Sequence, residues 1–149
     1  MPTLIADPSF KLYAICTVIL SFQMLLLAGM TAAKRSGVKN YLNPEDVKVS
    51  FAGAKLVDGA EQPAVARVQR AHRNMLESLP LFFALGLVYV FSGASLLGAQ
   101  ICFIAFTGAR VLHSVVYLSE LQPWRTMLYA ISAFALIGMM VLIVLAAIA

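Results

Sequence analysis

The chain has 149 residues, of which 61% are hydrophobic and 12% are charged, with a formal net charge of +4. Soluble domains carry roughly 45–50% apolar and about 25% charged residues. A soluble fold of this length could not bury so much apolar surface, so a lipid bilayer must surround much of the chain. This composition excludes an ordinary soluble enzyme, a disordered tail and a disulfide-stapled secreted domain. The length allows one domain over residues 1–149.

The cysteines and the excess of basic residues indicate neither a metal nor nucleic acid. Cys16 and Cys102 both lie in apolar runs, and the sequence has no CxxC or Cys/His spacing typical of metal sites. The basic residues do not alternate with exposed aromatic residues. We therefore expect no metal and no nucleic-acid partner, and a membrane as the surface that the positive charge meets.

Three uncharged segments are long enough to cross a bilayer, which needs about 20 apolar residues. They are residues 12–33, 78–109 and 126–149. The middle segment is too long for one span and is interrupted by Ser-Gly-Ala-Ser at 92–95. An all-α bundle is the simplest solution, because lipid requires backbone groups to be satisfied internally. The sequence predicts four transmembrane helices, at about 10–33, 67–92, 97–119 and 124–148.

The basic residues also predict the orientation of these helices. Segment 34–66 contains five of them, namely Lys34, Arg35, Lys39, Lys48 and Lys55. The turn at 120–125 adds Arg125 on the same side, whereas the opposite side offers only Lys11. By the positive-inside rule, we expect 34–66 to be a cytoplasmic loop and both termini to lie outside.

Within this loop, one short segment indicates a helix. Asn43 followed by Pro44 and two acidic residues predicts a helix start, with an asparagine cap and proline in the first position. The later part, with Gly53, Gly59 and Pro63, is predicted to be loop.

The predicted second helix carries polar residues at i, i+3, i+4 and i+7, which share one helix face: Arg70, Arg73, Asn74 and Glu77. If the helix begins near residue 67, Glu77 lies about 15 Å along it. Ionisable groups at such depth cost about 2.5–3.5 kcal/mol at a helix centre and usually face a bundle interior or a watery cavity. The structural alternatives are arginines that extend to the headgroups and an ion pair between Arg73 and Glu77.

The third helix repeats this pattern with Arg110, His113 and Tyr117 on one face. Arg110 lies roughly 13 Å from the inner turn, at a depth similar to that of Glu77. An ion pair of Arg110 with Glu77, or with a carboxylate of another subunit, would hold the bundle together without chemistry. His113 could equally hydrogen-bond a neighbour, and Tyr117 could be an ordinary interfacial aromatic residue.

Arg125 stands at the start of the fourth helix, where the helix dipole disfavours a cation. With the Thr126 hydroxyl and free backbone N–H groups, it would form a strong anion site. Binding of a lipid phosphate is the alternative, and Tyr129 follows one turn later. We expect one pocket at the cytoplasmic end that suits a small zwitterion with more than one carboxylate, beside an apolar wall that suits a lipophilic second substrate.

The chain resembles the MAPEG family, the membrane-associated proteins in eicosanoid and glutathione metabolism, in three stretches. These are Arg67–Gly93 (RVQRAHRNMLESLPLFFALGLVYVFSG), Arg110–Tyr129 (RVLHSVVYLSELQPWRTMLY) and Asn43–Asp46 (NPED), which cover 51 of the 149 residues. The resemblance implies a homotrimer of four-helix subunits. It also implies that glutathione binds between neighbouring subunits, near the cytoplasmic side.

The resemblance further implies roles for single residues. Arg125 would stabilise the glutathione thiolate, Thr126 would lie beside the sulfur, and Asp46 would be a catalytic partner of the arginine. The glutathione-binding residues would be Arg35, Arg70, Arg73, Asn74, Glu77, Arg110, His113, Tyr117 and Tyr129, with Glu77 at the γ-glutamyl amino group. The chain departs from the family in two places, with Thr126 in place of a serine of the prostaglandin-forming members and Met75 in place of an aspartate.

The function implied is that of a glutathione-dependent membrane enzyme acting on a lipophilic electrophile, peroxide or endoperoxide. It would be a transferase, a peroxidase or an isomerase of the prostaglandin E synthase type. The alternatives are a non-catalytic scaffold of the same fold that presents lipid and a transporter or channel subunit. Retention of the late arginine and of the polar set favours the enzyme. We expect a multi-pass protein of the inner membrane in a bacterium, or of the endoplasmic reticulum in a eukaryote.

Overall fold

The computed structural model describes residues 4–50, 53–57 and 59–149. In chain order its elements are α1 (Pro8–Val38), β1 (Asn40–Tyr41), α2 (Pro44–Val49), β2 (Lys55–Leu56), α3 (Pro63–Phe91), α4 (Leu96–Leu118) and α5 (Trp124–Ile148). By length and composition, α1, α3, α4 and α5 could each cross a membrane. The predicted all-α fold with four transmembrane helices is confirmed.

Two helix boundaries differ from the prediction by more than two residues, and both lengthen a helix into the predicted loop. α1 continues past residue 33 to Val38, and Lys39 ends it in a left-handed conformation with φ 53°. α3 begins at Pro63 rather than near residue 67, because proline is well suited to the first turn of a helix. Hydropathy located the apolar part of each helix and missed the polar turns beyond it.

The described residues between α1 and α3 also contain more regular secondary structure than predicted. α2 begins at Pro44 as expected, but the Asn43 side chain does not cap it. Instead, Asn43 Nδ2 donates a hydrogen bond to Asp46 Oδ2 at 3.1 Å. β1 and β2, which were not predicted, pair in parallel, with Asn40 opposite Lys55.

Two ion pairs join the ends of the long helices. Arg35, in the last turn of α1, pairs with Glu61 just before α3. Arg67, near the start of α3, pairs with Glu120 in the turn between α4 and α5. These contacts gather the ends of α1 and α4 and the starts of α3 and α5 at one end of the bundle, which is called the basic end below.

The largest buried side chains of the core are aromatic residues of α3 and α4. Phe82 stacks on Phe106 with ring centroids 4.6 Å apart and meets Phe103 edge-on at 5.8 Å. At the opposite end of the bundle, a Cβ on Gly98 would lie 2.2 Å from the Tyr89 hydroxyl oxygen, so only glycine permits this approach of α4 to α3. This packing fixes the two helices against each other and so determines which polar side chains meet at the basic end.

Candidate active site

A polar cavity of about 290 Å³ lies at the basic end between α3, α4 and α5. It is lined by Asn74, His113, Tyr117, Arg125, Thr126 and Tyr129. All of these belong to the predicted site, and the bundle brings them together from three helices. We call this space the inner cavity.

Arg110 lies behind the wall of the inner cavity and orients Asn74. Its side chain is 2% exposed, and its Nη1 donates a hydrogen bond to Asn74 Oδ1 at 2.9 Å. The guanidinium carbon also lies 5.3 Å from the Tyr129 ring centroid. Because the amide oxygen of Asn74 is engaged by Arg110, the amide N–H₂ group is the part left for the cavity. Asn74 is thus set as a hydrogen-bond donor.

His113 and two tyrosines form an aromatic wall of the cavity. His113 is buried, and its ring centroid lies 5.8 Å from that of Tyr117 and 6.4 Å from that of Tyr129. His113 and Tyr117 are four residues apart on α4, so they lie on the same face of that helix. Tyr129 comes from α5, so this wall depends on the packing of α4 against α5.

Arg125 is held at the cavity by two neighbours. Its guanidinium carbon lies 4.8 Å from the Tyr117 ring centroid, within the range of cation–π attraction. In the amide orientation that satisfies its hydrogen bonds, Gln122 Oε1 accepts from Arg125 Nε at 3.2 Å and from Nη2 at 2.8 Å. The Thr126 hydroxyl oxygen lies 3.5 Å from the same amide. Gln122 is absent from the predicted site, although its position three residues before Arg125 could have indicated it.

A second cavity of about 180 Å³ shares Arg125 and Tyr117 with the inner cavity. Arg67, Arg70 and Glu120 also line it, and Arg67 is paired with Glu120. The structure therefore places the predicted residue Arg70 at this outer cavity, with Arg125 and Tyr117 forming the partition between the two.

Besides Arg70 and Arg110, four further predicted residues do not line the inner cavity of the single chain: Arg35, Asp46, Arg73 and Glu77. The Arg35 side chain binds Glu61, and the Asp46 carboxylate accepts from Asn43. Arg35 lies in the last turn of α1, and Asp46 lies in α2. The structure thus leaves Asp46 bound within its own loop rather than to Arg125.

Arg73 and Glu77 are exposed on the outer surface of α3. Within the part of the chain that the structure describes, Glu77 forms no salt bridge with Arg73 or with Arg110. The two ion pairs considered as structural alternatives are therefore not formed. The charges of Arg73 and Glu77 remain available to a ligand or to another protein surface.

The inner cavity has the chemistry of an anion site. Its groups are the Asn74 amide N–H₂, the Arg125 guanidinium and the hydroxyls of Thr126 and two tyrosines, all of which can donate hydrogen bonds. Charge-assisted donors of this kind suit carboxylates and thiolates. Across residues 4–50, 53–57 and 59–149, no group of three His, Cys, Asp or Glu side chains is arranged to hold a metal ion.

These features define a four-helix membrane protein with a donor-rich cavity at one end of the bundle. The chain matches the family described as the MAPEG family over residues 13–145, and it belongs to that family. It is 40% identical over 123 residues to microsomal glutathione S-transferase 1 of Rattus norvegicus, covering 78% of this chain and 75% of that protein. It is 33% identical over 128 residues to prostaglandin E synthase of Homo sapiens, covering 85% and 82%. The predicted membership of the family is confirmed.

Proposed function

We propose that this protein is a glutathione-dependent membrane enzyme that acts on a lipophilic electrophile, peroxide or endoperoxide. The observation that carries the proposal is the position of Arg125 at a donor-rich cavity, where it contacts the neutral side chains of Gln122 and Tyr117. One relative is by name a glutathione S-transferase, and another is by name a prostaglandin E synthase. Family membership and cavity chemistry therefore point to the same class of enzyme.

The residues of the site fit glutathione, a tripeptide with two carboxylates, an ammonium group and a thiol. The donor orientation of Asn74, set by its bond to Arg110, suits a carboxylate. Glu77 lies three residues further along α3 and would meet the γ-glutamyl ammonium group, with Arg73 beside it. The hydroxyls of Tyr117 and Tyr129 add donors at the cavity wall.

Bound glutathione would supply the thiol, whose deprotonated form is the nucleophile. Arg125 favours that form, because a nearby cation stabilises negative charge. Thr126 adds a hydroxyl donor in the same turn of α5, and Tyr117 supports the guanidinium from its ring face. A catalytic partnership of Asp46 with Arg125 stays a prediction, because the Asp46 carboxylate binds Asn43 in the single chain.

We further propose a homotrimer whose glutathione sites are completed between neighbouring subunits at the cytoplasmic face. Arg73 and Glu77 are exposed on a helix that crosses the membrane, and charged residues there usually face protein or water. A neighbouring subunit would cover them and would bring its Arg35 toward the ligand. Residues 1–149 would form one domain of each subunit.

The second substrate would be lipophilic and would arrive from the bilayer. An apolar cavity of about 350 Å³ lies between α1 and α3, with Met24, Leu76 and Phe83 among its lining residues. Leu76 precedes Glu77 in the chain, so this apolar surface begins beside the polar face of α3. Such a juxtaposition suits an apolar electrophile next to a polar cosubstrate.

Ultraviolet difference absorbance of the glutathione thiolate tests the proposal in detergent-solubilised protein. We expect a thiolate signal in the unmodified protein that Arg125→Ala removes, together with about a hundredfold loss of turnover and a smaller loss of glutathione affinity. Lys11→Ala, which removes a cation at the start of α1, at the opposite end of the bundle, is the matched control and should change none of these three quantities. Equal losses of turnover and affinity in Arg125→Ala would contradict the role of Arg125. Binding without a thiolate signal in the unmodified protein would indicate a non-catalytic scaffold.

A further inference from the structure

We infer that Gln122 is a positioning residue for Arg125, and that its neutral amide orients the guanidinium without cancelling its charge. The inference rests on the proposed function, because it concerns the cation that would stabilise the thiolate. It concerns a residue of the α4–α5 turn that lies outside the predicted site.

The location of Arg125 explains why it needs an acceptor. It lies in the first turn of α5, where unpaired backbone N–H groups already create positive potential. That turn contains no acidic residue. Glu120, the acidic residue that shares the outer cavity with Arg125, is paired with Arg67. Among the described side chains, it is Gln122 that supplies oxygen to the guanidinium.

The contacts of Gln122 and Tyr117 fix the guanidinium in two independent directions. Gln122 Oε1 accepts from both Nε and Nη2, at 3.2 and 2.8 Å, and so holds one edge of the planar group. The ring of Tyr117 lies against the face of the same group, with 4.8 Å between the Arg125 guanidinium carbon and the ring centroid. A guanidinium has five N–H donors in a rigid fork, so the remaining donors are held in a defined direction.

The neutrality of the amide is what distinguishes Gln122 from an ordinary ion-pair partner. A carboxylate at this position could accept the same two hydrogen bonds, but its negative charge would offset the charge of Arg125. An apolar side chain of similar length would leave the charge intact and remove the orientation. Glutamine keeps both the direction and the full positive charge.

Two substitutions separate these effects in the full-length protein with glutathione bound. Gln122→Met removes the acceptor, and Gln122→Glu keeps the acceptor and adds a negative charge. Gln100→Met and Gln100→Glu are matched controls, because Gln100 is exposed near the start of α4, at the opposite end of the bundle. The readouts are the pH midpoint of the thiolate absorbance at saturating glutathione, the glutathione Kd, and turnover with an aryl halide.

We expect both Gln122 variants to raise the pH midpoint, by about one pH unit, and to lower turnover at neutral pH about tenfold. Glutathione Kd should change much less than turnover, and turnover should recover as the pH rises, since more of the thiol is then deprotonated. A residue that merely supports the fold would not produce this recovery. The Gln100 variants should behave as the unmodified protein.

Three results would overturn the inference, and they separate it from the proposed function. The first is an unchanged pH midpoint of the thiolate absorbance in both Gln122 variants, while Arg125→Ala still loses that absorbance. This result would contradict the role of Gln122 but would be consistent with the proposed function. Equal losses of affinity and turnover at an unchanged midpoint indicate a structural role only. Absence of a thiolate signal in the unmodified protein overturns the proposed function and, with it, the role of Gln122. If Gln122→Met fails to fold, the inference is tested with Gln122→Glu alone, because glutamate has the same shape as the native glutamine.

Discussion

Arg110 determines the hydrogen-bonding character of the inner cavity although it does not line it. Its buried guanidinium engages Asn74 Oδ1 and lies against the ring of Tyr129. The backbone carbonyl of Arg110 in turn accepts from Gln23 Nε2 at 3.2 Å, which ties α1 to the same point. A buried cation of this kind acts through its neighbours, because it decides which end of each polar group faces the ligand.

Replacing the Asn74 amide by a carboxylate tests this argument directly. Asn74→Asp keeps the acceptor for Arg110 but removes the N–H₂ donors that face the cavity. We expect glutathione affinity to fall about tenfold, since a hydrogen bond to a charged group is lost, while thermal stability is kept. The affinity is measured by calorimetry in detergent. Asn40→Asp, a substitution of the same type in β1, is the control. Unchanged affinity in Asn74→Asp would contradict the assigned orientation of the amide.

The helices themselves could be predicted because a bilayer imposes a length of about 20 apolar residues on each span. All four spans were recognised for this reason, including α4, which contains Arg110. The polar turns at the end of α1 and the start of α3 were not predicted, because hydropathy identifies residues that suit contact with lipid and does not identify helical backbone. The parallel pairing of Asn40 with Lys55 could not be predicted, since two-residue strands leave no periodic pattern.

The polar face of α3 shows how much of the site could be predicted from residue spacing. Spacing placed Arg70, Arg73, Asn74 and Glu77 on one face of α3, but only Asn74 lines the inner cavity. The buried stripe of α3 runs beside that face, through Ala71, Met75, Leu79 and Phe82. Periodicity identifies residues that share a face, and only helix packing decides which edge of that face turns inward.

At the scale of the whole molecule, the exposed charges of α3 indicate assembly. Arg73 and Glu77 would be costly against lipid, and a symmetric oligomer would cover them in every subunit at once. We expect the purified protein to have a mass of about three times the 16.1 kDa of one chain. Light scattering with the detergent contribution subtracted measures this mass. A monomeric or dimeric mass would contradict the proposed homotrimer.

The difference in charge between the two ends of the bundle predicts which compartment the site faces. The cytosol holds the glutathione that keeps its thiols reduced, so a glutathione site at the basic end should open there, as the positive-inside rule also indicates. Single cysteines introduced as Lys48→Cys on α2 and Lys11→Cys at the start of α1 report the two sides, since both lysines are exposed.

In sealed vesicles with the cytoplasmic face outward, an impermeant maleimide should label Lys48→Cys at once and Lys11→Cys only after detergent is added. The unmodified protein is the control, because Cys16 and Cys102 are buried and should react slowly in the folded state. The reverse order of labelling would contradict the proposed orientation. It would also place Arg125 on the side away from cytosolic glutathione, so the orientation and the proposed function depend on the same end of the molecule.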